Sequence, residues 1–242
     1  MSVERLAELV RARQPCVVLT GAGVSTESGI PDFRSPTGIW AQVDPMEVAS
    51  IDAFLADPEK VWEFYGRRLD ALAAAEPNDG HRALAELEER GWVRAVITQN
   101  IDRLHERAGS RELVEVHGSI RTASCLDCGE VVPFDEVVRL LPLPRCPRCG
   151  RVLKPDVVMF GELLDEATIA RAAELAVEAA LLLVVGSSLE VYPVAGLPAE
   201  TLAAGGSLAI VNRDETQYDA RASVRIRAGA GETLRAVAEL LR

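Results

Sequence analysis

The chain is predicted to adopt an α/β fold: a parallel sheet with helices on both faces, carrying a small inserted module. Three observations predict this. Short apolar strands alternate with amphipathic helices, the pattern of a sheet covered on both sides. Four of those strands run directly into small or polar residues. Four of the five cysteines fall into two Cys-x-x-Cys pairs within a single 25-residue stretch.

Residues 3–13 have helical periodicity and lead into a short buried strand at 16–19. Residues 35–75 insert a loop and helices. A helix over 80–90 then precedes a second strand at 94–98, and the apolar segment 113–116 runs into His117. The cysteine segment follows, with a proline-rich stretch at Leu141-Pro-Leu-Pro144. Residues 181–185 and 208–211 are two further strands, and an amphipathic helix over 232–241 closes the chain. This divides the chain into a large domain (1–34, 76–120 and 154–242), an inserted loop and helical segment (35–75) and a cysteine module (121–153).

Composition narrows the function classes. Apolar residues make up 48% and charged residues 26%, which is globular rather than disordered. The formal charge of −11 argues against a general nucleic-acid binder, which needs a basic footprint to neutralise phosphates. The longest apolar run, residues 179–185, falls far short of the roughly 20 needed to span a bilayer. Residues 1–14 carry charges throughout and lack a signal peptide's apolar core, so a cytoplasmic location is expected. Cys16 lies in an apolar strand and reads as a small core residue.

In open α/β sheets, ligands bind beyond the carboxyl ends of the strands. The four polar strand ends here are Gly21-Ala22-Gly23-Val-Ser25, Gln99-Asn100-Ile101-Asp102, Gly186-Ser187-Ser188 and Asn212-Arg213-Asp214. Gly21-x-Gly23 in isolation fits a tight strand-to-helix turn equally well. Four such ends on one edge point to a nucleotide crevice, where glycines let the backbone approach a phosphate. A third glycine at position 26 is absent, and so is a downstream strand-end acid, which disfavours a hydride-transferring dehydrogenase.

The pairs Cys125/Cys128 and Cys146/Cys149 are 17 residues apart, the spacing of a four-cysteine zinc ribbon. Four thiolates fill tetrahedral zinc and leave no position for water, so the metal is expected to be structural. Three histidines are available as general bases. His81 opens a helix, where a surface or capping role is expected. His105 suits packing or hydrogen bonding on a helix leaving the crevice. His117, at a strand end, is the best catalytic candidate.

The run Gly21-Ala-Gly-Val-Ser-Thr-Glu-Ser-Gly-Ile-Pro-Asp-Phe-Arg34 is followed in order by Thr98-Gln-Asn-Ile-Asp102, His117-Gly118, the cysteine pairs, Phe160-Gly-Glu162 and Gly186-Ser-Ser188. Together these resemble the sirtuins, NAD-dependent protein-lysine deacylases, over essentially the whole chain. The resemblance implies a Rossmann-like large domain and a zinc-ribbon small domain, with NAD and acyl-lysine meeting between them. It implies that Gly21, Ala22 and Gly23 cradle the NAD pyrophosphate. Asp32, Phe33 and Arg34 then form the cofactor loop, with Phe33 shielding the reacting ribose from water. Gln99, Asn100, Ile101 and Asp102 match the nicotinamide pocket. Gly186, Ser187, Ser188, Asn212, Arg213, Asp214 and Ala230 match the ribose and adenine side.

By the same resemblance, a substrate peptide adds as a strand between two edges. One comprises Val157, Phe160, Gly161 and Glu162; the other comprises Leu189 and Val191. The implied mechanism consumes NAD. The acyl oxygen attacks the ribose as nicotinamide departs, with Asn100 in the catalytic pocket. His117 then acts as general base, and the products are free lysine, nicotinamide and O-acyl-ADP-ribose. Two alternatives share parts of this site: a mono-ADP-ribosyltransferase and a non-enzymatic NAD-binding zinc-ribbon adaptor.

Asp57 and Pro58 suit the N-cap and first position of a helix. On that helix Tyr65 and Arg68 share a face. This is either an exposed amphipathic helix or a carboxylate-binding pair. The segment Trp62-Glu-Phe-Tyr65-Gly-Arg-Arg68, with Ala49 upstream, resembles the sirtuin subgroup that removes succinyl and malonyl groups. That resemblance implies that Tyr65 and Arg68 read a distal carboxylate, for which Ala49 leaves room.

Overall fold

The computed structural model describes residues 2–242 apart from the side chain of Asp70; Met1, placed in the large domain above, lies outside the described residues. The chain begins with α1 (Val3–Ala12), capped by the Ser2 hydroxyl, and β1 (Cys16–Thr20). Three helices follow: α2 (Pro45–Val48), α3 (Ile51–Ala56) and α4 (Pro58–Ala74). Asp44, Ser50 and Asp57 cap these three in turn, each side chain accepting from a backbone N–H of the first turn. Next come α5 (Asp79–Glu89), β2 (Ala95–Thr98), α6 (Leu104–Ala108) and β3 (Leu113–Glu115). The cysteine region contains β4 (Gly118–Ser124), β5 (Val131–Pro133), α7 (Phe134–Arg139) and β6 (Lys154–Val157). The rest alternates: α8 (Glu166–Glu178), β7 (Leu181–Val185), α9 (Leu197–Ala203), β8 (Ser207–Val211), β9 (Val224–Ile226) and α10 (Ala230–Leu240).

Six strands form one parallel sheet in the order β3-β2-β1-β7-β8-β9. Parallel strands are buried on both faces, and β1, β2 and β7 are buried at every position. Alternate residues of β1 serve different cores. Val18 packs with Leu6, Leu84, Leu183 and Leu234 beneath α1, α5 and α10. Val17 and Leu19 pack with Leu175, Leu182, Leu197 and Ile210 beneath α8 and α9. Each such side chain contributes about 1.5–3 kcal/mol by leaving water. The strand order reverses at β1, whose neighbours are β2 and β7 (Val17 pairs with both Ala95 and Leu182). A crevice opens at such a switch point.

A second, three-stranded antiparallel sheet, β5-β4-β6, carries the cysteines. Its strands start at Gly118 and end at Val157, beyond both ends of the 121–153 stretch that holds the cysteines. A third core joins Trp62, Tyr65 and Leu69 of α4 to Cys125, Val132, Val137, Cys146 and Leu153. The Trp62 indole N–H donates to the Leu153 carbonyl at 2.7 Å, tying the inserted helices to the cysteine region.

Several expectations change in detail. The helix expected at 80–90 starts at Asp79, because Asn78 caps it with His81 completing a capping box. The helix expected at 232–241 starts at Ala230. Its N-terminal Gly231 N–H is met by the Glu27 carboxylate at 3.1 Å, a partner 204 residues away. The apolar segment 113–116 forms β3, while β4, β5, β6 and β9 are additional to the strands expected; they are three to seven residues long and lack an extended apolar run.

Candidate active site

All four polar strand ends open into one cavity of about 440 Å³, within the usual range for small-molecule sites. It is lined at the β1 end by Gly21, Ala22 and Gly23, and at the β2 end by Gln99, Asn100, Ile101 and Asp102. Gly186, Ser187 and Ser188 follow β7, Asn212, Arg213 and Asp214 follow β8, and Ala230 opens α10. Gly186 has φ +61°, and a Cβ there would sit 2.3 Å from the Val24 nitrogen. A Cβ on Gly23 would meet Gly186 at 2.7 Å. Glycine at both positions therefore lets the two strand-end turns close on each other, leaving a backbone-walled floor suited to a pyrophosphate.

Behind that floor lies a buried polar network. Ser25, 1% exposed, donates from Oγ to Asp102 Oδ2 at 2.7 Å and accepts from Asn100 Nδ2 at 3.1 Å. Asn100 Nδ2 also reaches the Gly21 carbonyl at 3.2 Å. These bonds use the amide's nitrogen and leave its oxygen for a ligand. Asp102 Oδ1 accepts from the Leu104 N–H at 2.9 Å. Burial nonetheless holds the Asp102 carboxyl above its ordinary value, because two donors do not replace the lost water. Gln99 Nε2 donates to Ser187 Oγ at 2.9 Å, linking the β2 and β7 ends.

His117 lines the cavity just before β4. Its Nδ1 is 3.1 Å from the Gln99 carbonyl, which can only accept, so Nδ1 carries the proton and Nε2 is the basic atom. Burial lowers the His117 pKa, and the nearby Arg34 charge lowers it further, against the Gln99 bond that raises it. The ring is therefore a neutral base at neutral pH. The other two histidines are buried behind the site with ring centroids 4.7 Å apart. His81 caps α5 as expected but does not reach the surface. Its Nδ1 accepts from Asn78 N, and its Nε2 lies 3.4 Å from Ser25 Oγ. Burial pushes its pKa down to about 4. His105 Nε2 is 2.9 Å from Thr20 Oγ1, which packs it against β1 as expected.

The cofactor-loop residues Asp32, Phe33 and Arg34 line the same cavity, together with Ala49, Tyr65, Arg68, Val157, Phe160, Gly161, Glu162 and Val191. Tyr65 is buried rather than on an exposed helix face. The Arg68 guanidinium lies between the Phe33 and Phe64 rings, 5.0 and 5.2 Å from their centroids. It makes none of the ion pairs among the described residues, and burial lowers its pKa. A half-buried cation flanked by aromatic rings and lacking an ion-pair partner attracts an anion. Phe160 pairs through its backbone with the segment around Ala49.

Leu189 departs from expectation. Its side chain is 1% exposed in the second core and does not line the cavity. Its N–H donates to Ser187 Oγ and its carbonyl accepts from Gln217, so neither backbone group is free to pair with a peptide. A φ of +56° turns the chain inward there. Trp40, Phe64, Ser25 and Glu190 line the cavity without having been singled out for a role. Ser25 stood within the quoted glycine motif. Glu190 is identified only by its 2.9 Å ion pair with Arg34.

The four sulfurs of Cys125, Cys128, Cys146 and Cys149 lie within 4.8 Å of one another, with closest pairs at 3.4 and 3.5 Å. Thiolates each ~2.3 Å from a central zinc sit about 3.8 Å apart, so the donor set fits a tetrahedral structural ion. Gly129 and Gly150, at φ +73° and +76°, make the turn after each pair.

A family model described as Sir2 family matches residues 21–193. The NAD-dependent protein deacetylase of Caldivirga maquilingensis is 46% identical over 234 residues, covering 95% of this chain and 90% of its own. NAD-dependent protein deacylase 2 of Pyrobaculum aerophilum is 47% identical over 229 residues, covering 95% of this chain and 92% of its own. A solved Sir2–p53 peptide–NAD+ structure superposes with a TM-score of 0.92 at 40% identity, over 99% of this chain and 98% of that one. Likeness at this level, running through the glycine turns, the His117 strand end and both cysteine pairs, makes the protein a member of the Sir2 family.

Proposed function

We propose that the protein is an NAD-dependent protein-lysine deacylase. The observation that carries the reading is His117, whose Nδ1–H is fixed by the Gln99 carbonyl at 3.1 Å, leaving a basic Nε2 in the cavity that Asn100 and Asp102 share. NAD, as co-substrate, supplies the ribose carbon that takes up the acyl oxygen and the nicotinamide that leaves. Gly21, Ala22, Gly23, Gly186, Ser187 and Ser188 hold its pyrophosphate and ribose side. Asn212, Arg213, Asp214 and Ala230 hold the adenosine end. Gln99, Asn100, Ile101 and Asp102 orient the nicotinamide amide. His117 Nε2 takes up a proton from a ribose hydroxyl, and Asp32, Phe33 and Arg34 close over the site and exclude water. The products are free lysine, nicotinamide and O-acyl-ADP-ribose. One water is consumed after nicotinamide has left, supplying the ester carbonyl oxygen as the lysine amine departs. Nicotinamide release that depends on an acylated peptide tests the reading. His117→Ala or His117→Tyr abolishes deacylation while NAD binding is kept, and retained turnover in either variant would sink the assignment.

Succinyl and malonyl groups are proposed as substrates beside acetyl. Arg68 supports this, as a half-buried cation without an ion-pair partner among the described residues, beside the buried Tyr65 and the small Ala49. Peptide substrates are proposed to lie between the Val157–Glu162 edge and the Glu190–Val191 segment, whose backbone is freer than that of Leu189. A cytoplasmic site of action fits four clustered thiols, which a reducing compartment keeps available to zinc. Among the described residues no helix is long and apolar enough to cross a membrane.

A further inference from the structure

Trp40 sits where three walls of the cavity meet. Its ring centroid is 5.0 Å from Phe33 of the cofactor loop, 6.0 Å from Phe64 beside the acyl-reading Arg68, and 6.4 Å from Phe160 of the peptide edge. The indole is stacked on Phe64 at 20° and meets Phe160 nearly edge-on at 62°. Its backbone N–H also donates to the Phe33 carbonyl at 2.9 Å, and Ile39 N–H donates to Asp32 at 3.0 Å. The loop is thereby folded back on itself, holding Phe33 and Trp40 side by side. Arg68 completes the cluster by lying on the rings of both Phe33 and Phe64. The residue that reads the acyl tail and the residue that shields the ribose are therefore in direct contact.

We propose that Trp40 is a positioning residue that couples filling of the acyl pocket to closure of Phe33 over the reacting ribose. This rests on the deacylase reading above. An acyl chain entering beside Phe64 and Arg68 packs against a cluster whose far side is Phe33, so its arrival biases the loop toward the closed, dry arrangement. Without the indole, Phe33 loses the ring it packs against and water competes with the acyl oxygen. In that side reaction the ribose–nicotinamide C–N bond breaks and a C–O bond to water forms. The water proton passes to solvent, and ADP-ribose appears in place of O-acyl-ADP-ribose.

The experiment compares wild type, Trp40→Ala and Trp40→Phe as full-length, zinc-loaded chains, with NAD and the acetyl- and succinyl-lysine forms of one peptide. Nicotinamide, ADP-ribose and O-acyl-ADP-ribose are quantified. Trp40→Ala is expected to raise the ADP-ribose share roughly tenfold, the order set by losing one or two aromatic pairs. The KM for NAD changes much less, and Trp40→Phe restores most of the wild-type product ratio. A wild-type product ratio in Trp40→Ala overturns the proposal. Should the alanine variant not fold, indole emission decides: acylated peptide alone is expected to change it in wild type and not in Trp40→Phe. Equal responses in the two proteins overturn the coupling. Wild type that releases no nicotinamide on addition of acylated peptide overturns the deacylase reading instead, a result separable from either variant outcome.

Discussion

Ser25 Oγ donates a 2.7 Å hydrogen bond to Asp102 Oδ2, joining the glycine turn after β1 to a carboxylate 77 residues further along the chain. Ser25 also accepts from Asn100, so one hydroxyl holds two polar residues of the proposed nicotinamide pocket. Ser25→Ala removes a donor to the ionised carboxylate, and the Asp102 pKa, already raised by burial, rises further. Hydrogen bonds to charged groups are worth about 1.5–3 kcal/mol. The variant is expected to lose roughly tenfold or more in kcat/KM for NAD, with the loss growing as the pH falls and Asp102 takes up its proton. A pH–rate profile that overlays wild type would exclude this role.

Arg68→Met keeps much of the side chain's volume but removes its charge. The succinyl carboxylate then loses a charge-assisted partner, while the acetyl group loses nothing comparable. Desuccinylase kcat/KM is expected to fall about a hundredfold, against a change of a few-fold for deacetylation. Parallel measurements on acetyl-, malonyl- and succinyl-lysine forms of one peptide check this, and equal losses on all three would refute the carboxylate role.

Acid should destabilise the fold through its buried histidines. The folded pKa of His81 is lowered from 6.5 to about 4 by burial, so protonation favours the unfolded chain. The stability it contributes is fully present above pH ~6.5 and is lost as the pH falls toward 4, amounting to about 3 kcal/mol. Tm measured from pH 7 to pH 4 is expected to fall through this window. His81→Gln should lower Tm at pH 7 while flattening the acid slope, and an unchanged slope would mean that other groups dominate.

Zinc removal should reach beyond the cysteine region. Cys125 and Cys146 belong to the same core as Trp62 and Tyr65, so loss of the ion loosens the wall that carries Tyr65 and Arg68. Cys146→Ser is expected to lose the bound zinc, lower Tm by several degrees and reduce activity on every acyl peptide. Zinc content of about one ion per chain, measured alongside Tm in wild type and variant, checks the link.

Much of the site was legible in sequence because its residues stand at strand ends, where chain position and spatial position coincide. Gly21, Asn100, Gly186 and Asn212 follow four strands of one parallel sheet, so burial of those strands places them on one edge. The zinc site was legible for a similar reason, since each cysteine pair is set by its own tight turn. Leu189 was not. It lies between cavity-lining neighbours, and only its left-handed backbone turns it into the core. His81 was half legible: its capping role follows from Asn78, whereas its burial depends on packing against His105, 24 residues away.

The sequence by itself determined the strand-and-helix alternation, the edge that holds the polar turns, the four-thiolate cluster and the placement of His117 at a strand end. Each follows from periodicity, turn chemistry or spacing between near neighbours. Only the tertiary structure decided which tautomer His117 adopts, that Ser25 serves both Asn100 and Asp102, and that Arg68, Phe33 and Trp40 form one cluster. Those relationships join segments of chain that meet only when the sheet, the inserted helices and the cysteine region pack together. No local pattern encodes such a meeting, because its geometry is set by the cores beneath it.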